Sequence, residues 1–126
     1  MPKKHYMTTN APKPIGPYSQ AVAAGGLLFV SGQIPLDPAS GELIQGGIED
    51  QTEQVLKNIM AILKEVKMGP ENVVKTTVFL ADLADFPRMN EVYERHLGKE
   101  PPARSTIQAA ALPRGVKIEI DAIAAF

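Results

Sequence analysis

The sequence contains no cysteine, no tryptophan and only two histidines among its 126 residues. The lack of cysteine excludes disulfides, thiol nucleophiles and cysteine metal sites, and it fits a reducing compartment. The two histidines, His5 and His96, lack the spacing of metal ligands, so no metal site is expected. We expect His5 to lie in a mobile N-terminal segment and His96 near a helix end, each in a surface or capping role.

Long apolar runs and an excess of charge are also missing. No apolar run approaches the roughly 18 residues that a membrane-spanning helix needs, and no apolar segment follows the two lysines near the start. The formal net charge of −1 argues against a strongly basic nucleic-acid-binding surface. We therefore expect a cytoplasmic protein with neither a membrane partner nor a nucleic-acid partner.

What the sequence does contain is the material for one domain. No repeat or composition shift divides the chain, so a single domain over residues 1–126 is expected. Hydrophobic periodicity and turn residues predict the secondary structure. In chain order they predict a hairpin over 18–24 and 27–34 around Gly25-Gly26, a helix over 48–68 and a strand over 73–80. A second helix follows from its cap Asp85 to Gly98, and strands over 105–111 and 116–124 flank a turn at 112–115. A short strand near 42–44 is left open.

Two helices cannot cover both faces of such a sheet. The pattern therefore predicts an α+β fold, a mixed β-sheet with two helices packed on one face. On the last strand, Lys117, Glu119 and Asp121 point away from the apolar Ile118 and Ile120. This second face could be exposed to solvent or packed against another subunit, and the periodicity fits both.

One arginine is presented by a stiff segment close to that strand in sequence. Pro101 and Pro102 fix φ and hold the backbone extended just before Arg104. A guanidinium held in this way suits a planar carboxylate, because its N–H donors form a rigid fork. With Glu119 as a nearby base, the two would make a small-molecule site. A lone arginine beside prolines is more often an exposed loop residue, and that interpretation stays open.

The common signatures of other chemistries are missing. Neither Gly25-Gly26 nor Gly46-Gly47 belongs to a P-loop or a GxGxxG motif, and Ser31 does not lie in a nucleophile elbow. With two histidines, a Ser-His-acid triad is not expected. The remaining option is acid–base chemistry by carboxylate, arginine, tyrosine, serine and amide groups, with water as the nucleophile.

Six motifs occur in order between about Asn10 and Ala124. They are Gly16–Val22, Ser31–Pro35, Val74–Leu80, Met89–Tyr93, Pro102–Ser105 and Lys117–Ile120. Together they closely resemble the RidA/YjgF family. The resemblance implies a chorismate-mutase-like α+β fold, a homotrimer with active sites between subunits, and 2-iminobutanoate/2-iminopropanoate deaminase activity without a cofactor. Such enzymes hydrolyse reactive imines and enamines, released by pyridoxal-phosphate enzymes, to 2-oxo acids and ammonia.

The resemblance also assigns five site residues. Arg104 would grip the substrate carboxylate in a bidentate pair, and Glu119 would activate water and transfer protons. Tyr18 would shape the pocket and hydrogen-bond substrate or water, while Ser31 and Asn90 would be polar positioning groups or pocket lining. Considered singly, each of the five is more often an ordinary structural or surface residue.

Two departures from the family pattern concern the site. Thr106 stands where relatives often have a cysteine, and His96-Leu97 occupies a region where an aromatic residue is common, which predicts a change in pocket shape or specificity.

Two other functions stay open. The chain could be a non-catalytic module that binds 2-oxo acids on the same trimeric scaffold. RNA cleavage, attributed to some relatives, fits the near-neutral charge poorly.

Overall fold

The computed structural model describes residues 2–126 and contains six strands and two α-helices. The strands are β1 (Lys4–Tyr6), β2 (Ala21–Ala24), β3 (Leu27–Gln33), β4 (Val73–Leu80), β5 (Ala103–Gln108) and β6 (Ile118–Ala125); the helices are α1 (Ile48–Glu65) and α2 (Phe86–Leu97). Short 3-10 turns lie at Pro70–Asn72, Leu83–Asp85 and Pro113–Gly115. The predicted hairpin, both predicted helices and the predicted strand over 73–80 are confirmed.

The strands form one mixed sheet in the order β1-β2-β3-β6-β4-β5. Strands β4 and β5 are parallel, and every other pair is antiparallel. A parallel pair needs a long crossover, and α2 supplies it between β4 and β5. The turn at 112–115 suggests that the last two strands are neighbours, but β4 lies between them. Strand β6 is therefore central and joins the two halves of the sheet.

Both helices cover one face of the sheet, as predicted. The apolar stripe of α1 faces β3 and β6, and α1 also contacts α2. Its fully buried members are Val55, Leu56, Ile59, Ile62 and Leu63. Burying each of these side chains contributes on the order of 1.5–3 kcal/mol, so this stripe is a substantial part of the hydrophobic core.

The opposite face of the sheet has no helix over it. Along β6 the residues alternate, with Ile118 and Ile120 fully buried and Glu119 and Asp121 half-buried on the uncovered face. Large apolar side chains share this face. Phe29 pairs with Ile123, Phe79 pairs with Glu119 and Ile107, and Phe29 and Ile107 remain 43% and 47% exposed. An uncovered face with this composition suits contact with another protein surface.

Two sequence predictions about local structure were wrong, and the short strand left open near residues 42–44 is not formed. His5 does not lie in a mobile segment, because it belongs to β1 and its Nδ1 lies 2.6 Å from Ser19 Oγ. Asp85 stands at the N-terminal boundary of α2, but its carboxylate accepts a hydrogen bond from Arg88 at 2.9 Å and caps no backbone N–H. The region near residues 42–44 contributes only an isolated bridge between Leu36 and Leu43.

Neither helix in residues 2–126 combines the length and apolar character that crossing a bilayer requires.

Candidate functional site

The carboxylate of Glu119 stands on the uncovered face of the sheet beside a bulge in β3. The β3–β6 register shifts between Val30 and Gln33, which places Ser31 and Gly32 next to Glu119. Bulges often re-aim side chains near functional sites. With the Glu119 carboxylate in this position only glycine fits at residue 32, since a methyl group there would overlap Oε2 of Glu119. The bulge and the missing side chain therefore make room for this carboxylate.

The ionisation of Glu119 is perturbed. Partial burial raises the pKa of its carboxyl, and the negative charge of the neighbouring Asp121 raises it further. The Glu119 side chain takes part in none of the side-chain hydrogen bonds found among residues 2–126. A carboxyl group with these properties can accept and return a proton closer to neutral pH than a solvated glutamate can.

Tyr18 reaches the same region from the proline-rich segment before β2. Its hydroxyl accepts a hydrogen bond from Ile15 N at 3.2 Å, and half of the side chain is exposed. The segment is held by the buried amide of Gln20, which donates to the carbonyl oxygens of Thr8 and Pro12 at 3.0 and 2.9 Å. The hydroxyl of Tyr18 is thus held by the backbone, while the exposed part of its ring remains open to a ligand.

Ser31 is committed to the local structure. Its hydroxyl donates to the carbonyl oxygen of Ser19, so its proton is not available to a ligand in this arrangement. Tyr18, Ser31 and Glu119 line one open cleft of about 530 Å³. The cleft is completed by Ile15, Gly32, Ile34, Pro113 and Arg114. Arg114 was not predicted from the sequence, and its backbone has the left-handed φ of 57° inside the 3-10 turn.

Arg104 occupies a different place, between β5 and α2. It pairs across the sheet with Thr76 of β4, and its guanidinium carbon lies 4.8 Å from the ring centroid of Tyr93 and 5.3 Å from that of Phe86. Such cation–π contacts hold the guanidinium against the two rings. Among residues 2–126 the guanidinium has no carboxylate partner, so its charge is left for a ligand.

Asn90 lies beside Arg104 in a second open cleft of about 560 Å³. The side-chain oxygen of Asn90 is buried and has no hydrogen-bond partner among the described residues, and the same is true of Thr106 Oγ1. Buried polar atoms are almost always paired, so the unpaired oxygens of Asn90, in the Arg104 cleft, and of Thr106, two residues after Arg104 on β5, need an explanation. A bound polar molecule would supply one.

The two clefts lie on opposite faces of the sheet. Arg104 pairs with the buried Thr76, which faces the helices, whereas Glu119 pairs with Phe79, three residues further along β4. Successive residues of a strand point to alternate faces, so Thr76 and Phe79 face opposite ways. A single chain thus brings together Tyr18, Ser31 and Glu119 in one cleft and Asn90 with Arg104 in the other. It does not unite the five.

One further sequence hypothesis about the site concerned His96. His96 lines neither cleft, because its Nε2 lies 2.9 Å from Glu53 and it borders a separate cleft of about 350 Å³ with Arg95 and Lys99. Its effect on pocket shape is therefore not supported within one chain. Residues 2–126 contain no group of three or more side chains able to hold a metal ion.

Sequence reasoning predicted Asn90 but missed Phe86, Tyr93 and Gly32. Phe86, Asn90 and Tyr93 follow one another at four- and three-residue spacing on α2, which is the pattern of a single helix face. That pattern could have grouped the rings with the amide. Nothing in the sequence could have placed Gly32 against Glu119, because the contact depends on the bulge in β3.

Comparison with known proteins adds the following relatives. A family model described as Endoribonuclease L-PSP matches residues 8–126. A RutC family protein of Pyrococcus horikoshii is 53% identical over 122 residues, which are 97% of each chain. The mouse 2-iminobutanoate/2-iminopropanoate deaminase is 50% identical over 97% of this chain and 90% of its own. The solved structure of Escherichia coli TdcF with bound serine is 42% identical, with a TM-score of 0.92 and 98% of each chain covered.

Proposed function

The chain belongs to the RidA/YjgF family, and from this premise we propose that it hydrolyses reactive 2-imino and enamine acids. The substrates proposed are 2-iminobutanoate and 2-iminopropanoate, which are converted to 2-oxo acids and ammonia. The observation that carries the proposal is the guanidinium of Arg104, which has no carboxylate partner among residues 2–126 and shares its cleft with Asn90, whose buried side-chain oxygen is unpaired. A small acid needs this combination of a carboxylate anchor and polar positioning groups.

The reaction divides between the two clefts. Arg104 binds the carboxylate of the imino acid through two parallel hydrogen bonds. Glu119 takes a proton from a water molecule, whose oxygen then bonds to the imine carbon and gives a carbinolamine. Glu119 returns that proton to the nitrogen of the carbinolamine, then takes the carbinolamine hydroxyl proton and delivers it to the same nitrogen, so that the carbon–oxygen double bond forms as the carbon–nitrogen bond breaks and ammonia leaves. The products are one 2-oxo acid and one ammonia for each imino acid and water consumed, and Glu119 recovers its starting state.

This division requires a second copy of the chain. Since Arg104 and Glu119 lie on opposite faces of one sheet, a complete site forms only where the Arg104 cleft of one subunit meets the Glu119 cleft of its neighbour. A homotrimer with sites between subunits, as the family resemblance implies, satisfies this geometry. The apolar residues Phe29 and Ile107 on the uncovered face would be buried in such an assembly.

A solved structure of a relative, described with a bound amino acid, supports the same ligand class. The Escherichia coli TdcF structure is described with bound serine, an amino acid whose carboxylate matches the anchor proposed for Arg104. Binding alone would fit a second function, a non-catalytic module that holds 2-oxo acids. The raised pKa of Glu119 favours catalysis, because it suits the group to proton exchange closer to neutral pH. A site that only binds the carboxylate of a ligand gains nothing from the additional carboxyl group of Glu119.

A coupled assay separates the two functions. An amino-acid oxidase generates 2-imino acids in the presence of semicarbazide, and added protein that hydrolyses the imine lowers the yield of semicarbazone. We expect wild-type protein to lower the semicarbazone yield and Arg104→Ala to leave it unchanged. Circular dichroism should show that both proteins are folded. Arg104→Lys should restore little, since an ammonium group lacks the planar fork.

The outcomes decide between the alternatives. Wild-type protein that binds 2-oxobutanoate but leaves the semicarbazone yield unchanged would establish the binding module. Full activity in Arg104→Ala would remove this arginine from the site.

A further inference from the structure

The side chain that supports Arg104 is itself fixed by a buried hydrogen bond. The hydroxyl of Tyr93 and Thr76 Oγ1 lie 2.6 Å apart, and both residues are buried. Thr76 is also the cross-strand neighbour of Arg104 in the β4–β5 pair. The strand residue next to Arg104 thus holds the ring on which the guanidinium rests.

This arrangement does more than fill the core. Tyr93 and Phe86 lie on one face of α2, seven residues and two turns apart, and both rings contact the guanidinium of Arg104. A phenylalanine at position 93 would fill nearly the same volume but would leave the buried Thr76 Oγ1 without its hydrogen-bond partner. The hydroxyl adds a restraint on the ring, because the hydrogen bond ties it to a strand that cannot move independently of β5.

The chemistry of Tyr93 fits a supporting role and not a role as base. Burial raises the pKa of its phenol, while the hydrogen bond with Thr76 and the positive charge of Arg104 act in the opposite direction. The group therefore stays a neutral phenol at physiological pH. A neutral phenol is not a base for the substrate, and its hydroxyl lies within hydrogen-bond distance of Thr76 in the interior.

From these contacts we propose that Tyr93, fixed by Thr76, is a positioning residue that keeps the guanidinium of Arg104 oriented for a carboxylate. The inference rests on the proposed function, since it assigns the anion to Arg104. A free arginine side chain loses much rotational freedom when it grips a carboxylate. Restraint by the ring removes part of that loss before the ligand arrives, so it strengthens binding through Arg104.

The test uses Tyr93→Phe, which keeps the ring and removes the hydroxyl, and Thr76→Val, which removes its partner at nearly constant shape. Tyr6→Phe in β1 is the matched control, because it removes a phenolic hydroxyl outside both clefts. Four quantities are measured for each protein: the dissociation constant for 2-oxobutanoate by calorimetry, KM and kcat for 2-iminobutanoate, and the NMR order parameter of the Arg104 Nε–H bond.

We expect Tyr93→Phe to raise the dissociation constant and KM about three- to tenfold, to leave kcat within about twofold, and to lower the Arg104 order parameter. Thr76→Val should do the same. The double variant should be no worse than either single one, because both remove one shared hydrogen bond. Tyr6→Phe should match wild type.

Other outcomes overturn the inference. A lower melting temperature in Tyr93→Phe, with ligand affinity and order parameter unchanged, assigns the hydrogen bond to fold stability alone. If wild-type protein neither binds 2-oxobutanoate nor turns over the imine, the proposed function fails. In that case the order parameter decides alone, since its drop in Tyr93→Phe supports the positioning role and its constancy refutes it.

Discussion

Replacing Gly32 by alanine tests the position of Glu119 with a single methyl group. The backbone at Gly32 does not have a positive φ, so alanine fits the local conformation. The added carbon would overlap Oε2 of Glu119 and would lie 3.0 Å from Cδ. Ordinary contact between such atoms needs roughly 3.5 Å, so the carboxylate must move by about 1 Å.

The cost should fall on catalysis and spare the fold. A displacement of about 1 Å at a reacting group can reduce a rate about a hundredfold, which corresponds to about 2.7 kcal/mol in the activation barrier. The displaced atoms are the end of a flexible side chain, so the core is not disturbed. We expect kcat/KM of Gly32→Ala to fall about a hundredfold while the free energy of unfolding changes by less than about 1 kcal/mol.

Gly47→Ala is the matched control. Gly47 has a negative φ of −89°, and a methyl group there would meet only Glu49 Oε1 at 3.8 Å, an ordinary contact. Both variants are compared with wild type in the semicarbazone assay, with urea titrations to measure stability. Wild-type turnover in folded Gly32→Ala would show that the reaction does not depend on where the Glu119 carboxylate stands.

Three further measurements follow from the site. Because the pKa of Glu119 is raised, its contribution to stability is fully present below the ordinary carboxyl pKa and is lost as pH rises through the raised value. The Glu119→Gln variant should therefore have a higher melting temperature than wild type only on the alkaline side of that range. A constant difference in melting temperature from pH 3 to 8 would contradict the shift. In turnover assays that variant should retain 2-oxobutanoate binding while its rate falls at least about a hundredfold, and an unchanged rate would exclude Glu119 as the base. Thr106→Val should raise the free energy of unfolding by about 1 kcal/mol, because it removes a buried hydroxyl without a partner, and should weaken 2-oxobutanoate binding; a loss of stability would mean that the hydroxyl is paired.

Elements with a strong period could be predicted from the sequence, and pairings between distant strands could not. The stripe from Val55 to Leu63 specifies α1, and the alternation around Glu119 specifies which side of β6 is uncovered. Strand β1 was missed because three residues of mixed polarity carry no period. The position of β5 depends on the crossover through α2, a long-range choice that the nearby turn at 112–115 does not reveal.

The same limit applies to the site. The resemblance named Arg104, Glu119, Tyr18, Ser31 and Asn90 as site residues. The side of the sheet on which Arg104 lies could not be predicted, because Ala103–Gln108 does not alternate between apolar and polar residues. Its face follows from its pairing with Thr76. The aromatic support of the guanidinium also depends on how α2 lies over β5, which is a property of tertiary packing.

The central place of β6 has a consequence for how the protein is made. Among the strands of residues 2–126, β6 is the last to leave the ribosome, yet it alone joins β3 to β4. The hairpin of β2 and β3 and the β4-α2-β5 unit can therefore form during synthesis only as separate pieces with exposed edges. Such edges can pair with other chains. Chaperone protection in the interval before β6 emerges should thus matter more for this topology than for one whose central strand is synthesised early.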